Sequence, residues 1–229
     1  MKNNNFDLIV TGGLGFLGQE IKTYFESKGK QVGLLDLKLG HNLSDENFVK
    51  EWFSLNKSAN LINCFAINDH IENINTSETF LDVELTSISA YLKTNVVDLF
   101  SVCREFIRNQ NTGRIVNISS IYSVVSPRND IYGTKEKNIG YGVSKAAVNQ
   151  LTRHLAVHAA PNFLVNSLIL GGIKNSQSQE FISNYVKNVP LLRMGSPTDI
   201  FGLLEYLCSE SASYSTGSEF FIDGGWTAW

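Results

Sequence analysis

The sequence predicts an α/β fold in which a parallel sheet is doubly wound, with helices on both faces. Three observations carry that expectation. Six short runs rich in Val, Ile, Leu and Phe are continuously apolar, as strands covered on both faces must be. Longer segments with apolar side chains three and four residues apart lie between them, and such alternation builds right-handed βαβ units. A cluster of glycines stands at the first strand-to-helix junction.

In chain order, the strands are expected at residues 6–10, 31–35, 60–66, 114–118, 163–170 and 219–222, in a sheet of about seven strands. A helix is expected at residues 16–28, and another is marked by Leu92, Val96, Leu99, Phe100, Cys103, Phe106 and Ile107. Further helices fall at residues 141–159, 179–188 and 198–209, the last opened by Ser196-Pro197 as cap and first turn. There is no repeat, low-complexity tract or linker, so residues 1–229 read as one domain.

Composition narrows the function. A globule of 229 residues and 25.5 kDa can remove about 70–75% of its unfolded surface from water, so it needs no disulfide or metal staple. Nineteen Lys and Arg against 22 Asp and Glu give a net charge of −3, without a basic stripe for nucleic acid. No run approaches the roughly 18 apolar residues of a membrane span. The start Met1-Lys2-Asn3-Asn4-Asn5 is too short and interrupted for a signal peptide. Cys64, Cys103 and Cys208 lack any C-x-x-C spacing and read as small buried hydrophobes, so a cytoplasmic setting is expected.

After the first strand comes Thr11-Gly12-Gly13-Leu14-Gly15-Phe16-Leu17-Gly18, running into a helix. Glycine there permits a tight turn and lets backbone N–H groups approach a pyrophosphate at the positive helix end. Asp36 closes the second strand, where a carboxylate accepts hydrogen bonds from both ribose hydroxyls and repels a 2′-phosphate. Leu37 follows where a phosphate reader would want Arg, so the expected cofactor is NAD and not NADP.

A second signal lies past mid-chain. Gly113-Arg114-Ile115-Val116-Asn117-Ile118-Ser119-Ser120 is a strand ending in two hydroxyls at the sheet's carboxyl edge. Downstream, Tyr141-Gly142-Val143-Ser144-Lys145 opens a helix, and residues four apart share one face. A fixed cation beside a phenol favours phenolate and makes it a usable proton exchanger near neutrality.

With the glycine turn, Ser120 and Tyr141/Lys145 in order, the chain resembles the short-chain dehydrogenase/reductase family over nearly its whole length. The resemblance implies a single Rossmann-like domain and an NAD-dependent oxidoreductase. Tyr141 would be the general acid or base, Ser120 would polarise the substrate oxygen, and Lys145 would hold the nicotinamide ribose. Asn95, in Thr94-Asn95-Val96, would anchor a water in the proton relay. Cofactor contacts are implied for Gly12, Leu14, Gly15, Phe16, Leu17, Gly18, Asp36, Asn42, Leu43, Cys64, Phe65, Ala66, Tyr141, Lys145, Gly171 and Ile173. Phe221-Ile222-Asp223-Gly224-Gly225-Trp226 is similar to the ending of many members.

Several positions depart from the family pattern. The spacing Thr-Gly-x-x-Gly-x-x-Gly resembles the extended, sugar-nucleotide branch. Asn42 replaces an adenine-contacting Asp, Cys64-Phe65-Ala66 replaces Asn-Ala-Gly so that Phe65 would narrow the adenosine-side channel, and Leu170-Gly171-Gly172 replaces Pro-Gly before Ile173. Ser120 and Tyr141 are 21 residues apart, a longer gap than the family usually shows. The added segment, 126–135, resembles a subgroup found with bacterial surface-sugar and nonulosonate biosynthesis. Arg128 in it either pairs with a substrate carboxylate or phosphate or is an incidental surface charge.

The expected substrate is therefore a small polar molecule, a sugar derivative with an anionic group among the candidates. The chain has no Tyr-x-x-x-Lys rival at Tyr132, whose fourth-following residue is Glu136. His154 and His158 lack a third ligand, so no metal is expected. The 92–107 stripe reads as core plus a subunit face, implying a homodimer or homotetramer by analogy with the family. Trp226 and Trp229 suit a subunit contact, the substrate cleft or plain core packing. Two other functions stay open: a catalytically silent dinucleotide-binding sensor or assembly protein, and an NAD-recycling sugar epimerase or dehydratase.

Overall fold

The computed structural model describes residues 4–68, 79–132 and 135–229. Its strands are β1 (Asn4–Phe6), β2 (Leu8–Thr11), β3 (Val32–Leu35), β4 (Asn56–Ser58), β5 (Asn60–Asn63), β6 (Gly113–Ser120), β7 (Phe163–Leu170) and β8 (Glu219–Ile222). Six form the main sheet in the order β3-β2-β5-β6-β7-β8, all parallel, while β1 pairs with β4 alone. The helices are α1 (Phe16–Ser27), α2 (Glu46–Leu55), α3 (Leu85–Leu92), α4 (Leu99–Asn109), α5 (Ile139–Ala159), α6 (Gln179–Val186) and α7 (Thr198–Leu207).

Successive residues of the central strands feed opposite faces, which is why those runs are continuously apolar. Ile9, Leu61 and Ile115 join a cluster with Val49 and Phe53 of α2, Val102 and Phe106 of α4, and Val148 and Leu155 of α5. Their neighbours Leu8, Val10, Ile62 and Val116 join Ile21 and Phe25 of α1 and Ile200 and Leu204 of α7 on the other face. Each such aliphatic side chain contributes about 1.5–3 kcal/mol by its burial. A third cluster holds Tyr91, Tyr122, Ile131, Tyr141, Tyr185 and Trp226.

The differences from expectation have local causes. The first run splits at Asp7, whose carboxylate accepts the Gln31 N–H at 2.8 Å. Between β3 and α2 the chain makes a 3-10 turn at Leu37–Leu39, which the Asp36 carboxylate caps through the Lys38 N–H and Gly40 closes at φ 78°. The expected helix around Leu92 is interrupted by a π turn at Lys93–Asp98, so α3 and α4 are separate. Helix α7 begins with Pro197 at its N-cap, and it is the Asp199 carboxylate that accepts the Ser196 N–H, at 2.7 Å. Helix α2 escaped the sequence reading, although Asp45 caps it by accepting from the Asn47 and Phe48 N–H groups.

Candidate active site

The sheet's carboxyl edge, where doubly wound folds hold ligands, carries every group in this site. At one end, the turn after β2 closes with Gly15 N–H donating to the Gly12 carbonyl at 3.0 Å. Gly12 has φ 64°, and a Cβ there would lie 2.7 Å from the Phe65 nitrogen; one on Gly18 would lie 2.2 Å from the Gly12 oxygen. Only glycine fits at either place. Helix α1 starts from Gly15 without a side-chain cap, which leaves its first N–H groups for an anion.

Asp36 is buried, and its two oxygens accept from Leu14 N–H and Lys38 N–H, each at 2.9 Å. The carboxylate thus braces the glycine turn, and its unused lone pairs are what a ribose diol would need. Lys38 Nζ reaches the Leu14 carbonyl at 3.3 Å, bringing a cation to the same turn.

A buried polar chain then crosses the strand ends. Thr11 Oγ1 donates to Asn63 Oδ1, Asn63 Nδ2 to Asn117 Oδ1, and Asn117 Nδ2 to Thr152 Oγ1, each at 2.9 Å. It links β2, β5 and β6 to α5, the helix that carries Tyr141 and Lys145. The sequence reading missed this chain, although an Asn in each of two adjacent apolar strands, Asn63 and Asn117, was its signal.

Asn95 lies buried in the π turn. Its amide accepts the Ile67 N–H at 2.7 Å and donates to the Ile67 carbonyl at 3.1 Å and to Ser144 Oγ at 2.9 Å. Ser144 Oγ in turn donates to the Tyr141 carbonyl at 2.8 Å. Asn95 therefore ties the strand-5 loop to the first turn of α5.

Ser120 ends β6 beside the Tyr141 phenol, and its hydroxyl accepts the Tyr122 N–H at 3.2 Å. Burial pushes the Tyr141 phenol up, and the Ser120 contact opposes that shift. Burial pushes the Lys145 ammonium down, to about 8. The expected lowering of the phenol by Lys145 is not the arrangement here. Lys145 Nζ lies 5.9 Å from the Tyr141 ring centroid and donates to the Ile118 carbonyl at 2.9 Å, so desolvation favours neutral forms of both groups. Cys64, beside Lys145, is pushed up to about 12 by burial and stays a thiol.

A cavity of about 720 Å³ runs from the glycine turn to this group and beyond. Gly12, Gly15, Phe16, Leu17 and Gly18 line one end; Cys64, Ala66, Ser120, Tyr141, Lys145, Gly171 and Ile173 line its middle. Leu14, Asp36 and Asn95 act from behind the wall. Asn42 is exposed and accepts the Ser44 N–H, and Leu43 packs in the core, which leaves only its backbone for a ligand. Phe65 does not narrow the channel: its ring packs against the core while its backbone abuts Gly12. Gly172 N–H donates to the Tyr185 hydroxyl at 2.5 Å, and a Cβ at Gly172 would meet that ring at 2.8 Å, so Leu170-Gly171-Gly172 is shaped by Tyr185.

The far end is lined by Tyr132 and Lys135 of the added segment and by residues the sequence reading passed over, among them Tyr122, Lys137, Phe181 and Tyr185. The Tyr122 and Tyr132 hydroxyls bond each other, and burial pushes both phenols up. Arg128 does not line the cavity. It is exposed and forms a two-pronged pair with Asp130 at 2.9 and 3.1 Å. Of its segment, Gly133 and Thr134 lie outside the described residues. Trp226 is buried and stacks on Tyr185 at 4.5 Å, whereas Trp229 is exposed. The His154 and His158 rings lie 4.3 Å apart, and no three His, Cys, Asp or Glu side chains among the described residues form a metal cluster. No helix among them is long and apolar enough to cross a membrane.

A family model described as enoyl-(acyl carrier protein) reductase matches residues 42–227. A 3-oxoacyl-(acyl-carrier-protein) reductase of Aquifex aeolicus is 30% identical over 226 residues, covering 95% of this chain and 86% of the relative. Post-translational flagellin modification protein A of Campylobacter coli is 28% identical, covering 96% and 97%. The crystal structure of a short chain dehydrogenase from Leptospira borgpetersenii with bound NAD+ aligns with a TM-score of 0.84 at 28% identity, covering 99% of this chain and 94% of that one.

Proposed function

The chain belongs to the short-chain dehydrogenase/reductase family, oxidoreductases that act on CH–OH groups, and from that premise we propose that it transfers a hydride between NAD and a hydroxyl or ketone of a small polar substrate. The observation that carries the reading is that Ser120, Tyr141 and Lys145 line one cavity that is continuous with the glycine turn. The donor set fits a dinucleotide: a turn only glycine can make, open N–H groups of α1 for the pyrophosphate, and Asp36 for the ribose diol. The bound Leptospira NAD+ supports the choice of cofactor.

When bound, NAD supplies the hydride acceptor. The protein's own groups handle the rest. Ser120 Oγ orients the substrate oxygen, and Tyr141 Oη takes its proton during oxidation or returns it during reduction. Lys145 would exchange the Ile118 carbonyl for the nicotinamide ribose, and the charge it carries there would ease ionisation of Tyr141. The aromatic wall of Tyr122, Tyr132, Phe181 and Tyr185 keeps water from the exchange and suits the C–H faces of a sugar.

We therefore read the substrate as a sugar derivative, in the setting of bacterial surface-sugar biosynthesis. The extended segment after Ser120 and the relative named for flagellin modification support that setting. Exposed Phe100 on α4 and Val143 and Val157 on α5 support assembly as a homodimer or homotetramer. The test is titration with NADH and NADPH, followed by NAD+ with polyols and sugar acids while free NADH is recorded. Tighter NADH binding and net NADH release are expected. Binding without release would point to a silent protein, and turnover without net NADH to a recycling epimerase.

A further inference from the structure

Resting on that reading of the cleft, we propose that Lys137 is a specificity-determining residue that binds the carboxylate of a small polyhydroxy acid. The chain carries a net charge of −3, yet the charged side chains lining this cavity are Lys135, Lys137 and Lys145 against Glu180 alone among the described residues. Their placement is uneven. The glycine end, where a pyrophosphate would lie, is met by backbone N–H groups, and the cation at that turn, Lys38, is held on the Leu14 carbonyl and does not line the cavity. Lys145 sits at the boundary and is held on the Ile118 carbonyl. The other two lysines belong to the substrate end.

Of these, Lys137 is the one set beside the chemistry. Its ammonium lies 4.6 Å from the centroid of the Tyr141 ring and donates to Asn68 Oδ1 at 2.6 Å. Contact with the aromatic face and with the Asn68 amide orients the cation, so less conformational freedom is lost when an anion arrives. Tyr141 thus has two cations at its ring, Lys145 toward the cofactor and Lys137 toward the substrate. A carboxylate near the reacting carbon meets Lys137, while hydroxyls meet the amide group of Asn175 and ring C–H faces meet Tyr132 and Phe181. Glu180 lies exposed on the first turn of α6 and disfavours a second anion at the rim.

Matched acids and polyols test the assignment without the natural substrate. Calorimetry on the NADH-saturated protein would compare D-gluconate with D-glucitol and L-threonate with L-threitol. A charge-assisted contact predicts roughly tenfold to hundredfold tighter binding of the acids. Lys137→Met should erase the preference without altering NADH affinity, and Lys137→Arg should keep it. Equal binding of acid and polyol by wild type, or a preference that survives Lys137→Met, overturns the proposal. The two readings fail separately. Absence of NADH binding sinks the oxidoreductase reading, while the acid–polyol comparison, repeated without cofactor, still decides the anion subsite.

Discussion

The two ends of the cleft are made differently. The cofactor end is built from strand termini and backbone: a turn only glycine can make, Asp36 bracing it, and a buried chain from Thr11 through Asn63 and Asn117 to Thr152. The substrate end is built from side chains on connecting segments, with Tyr122, Tyr132 and Lys137 from one and Phe181 and Tyr185 from another. The first end is rigid because its groups hydrogen-bond across parallel strands. The second takes its shape from aromatic packing, which can change by substitution without disturbing the sheet. One scaffold can thus keep a cofactor and alter its substrate.

The sharpest way to break this division is at the boundary between the ends. Tyr141→Phe removes one hydroxyl, so NADH affinity should hold while turnover falls by a factor on the order of 10²–10⁴. Steady-state kinetics with a parallel NADH titration would show it, and loss of both together would mean the ends are not separable at Tyr141.

Next in size is the rigid end itself. Asn117→Ala removes the buried amide acceptor of Asn63 Nδ2 and the buried donor to Thr152 Oγ1, at a cost of about 1–3 kcal/mol. At about 2–4 °C per kcal/mol for a chain of this length, calorimetry should record a clear drop in Tm. A change under about 1 °C would mean that the polar chain does not hold the edge together.

Asp36→Ala should cut the preference for NADH over NADPH by about tenfold, near 1.4 kcal/mol, in paired titrations. Lys38 on the same turn should then help to accept the 2′-phosphate. An unchanged ratio would leave Asp36 as a brace for the turn alone.

Lys145 gives a pH test of similar scale. Burial lowers it from 10.5 to about 8, so between those values the unfolded chain holds a proton the folded chain has released. Its contribution to stability therefore rises with pH across that window, by at most about 1.4 kcal/mol per pH unit, and its burial cost is felt in full below it. The buried thiols act oppositely above pH 9, so the Tm difference between wild type and Lys145→Met isolates the lysine. A difference flat with pH would place Lys145 in contact with water. Smallest of all, Arg128→Ala should change stability by no more than about 0.5 kcal/mol, and KM should stay put, because Arg128 pairs with Asp130 outside the cleft.

The same division explains what was legible in the sequence. Backbone-made features leave local signatures, so Gly12, Gly15, Gly18, Asp36 and the Ser120-ended strand could be read in place. Tyr141 and Lys145 were legible because four residues on a helix share a face. The substrate end has no such spacing. Lys137 reaches the Tyr141 ring from just before the helix, and Tyr185 reaches Gly172 from α6, contacts that only the folded chain reveals. Arg128 reads as an anion partner in sequence, but Asp130 two residues on takes up its guanidinium in the fold. The split of the 92–107 stripe by a π turn was hidden because its apolar spacing runs straight through.

The most direct measurement of the central claim follows the hydride itself. The protein is incubated with NADH deuterated at nicotinamide C4 and the keto forms of the compounds that bind best, and the products are read by mass spectrometry. The account predicts deuterium on the new carbinol carbon, one NAD+ formed for each alcohol, and transfer slowed on the order of 10²–10⁴ in Tyr141→Phe. Deuterium that never leaves the cofactor, or a Tyr141→Phe protein that transfers it as fast as wild type, would contradict it.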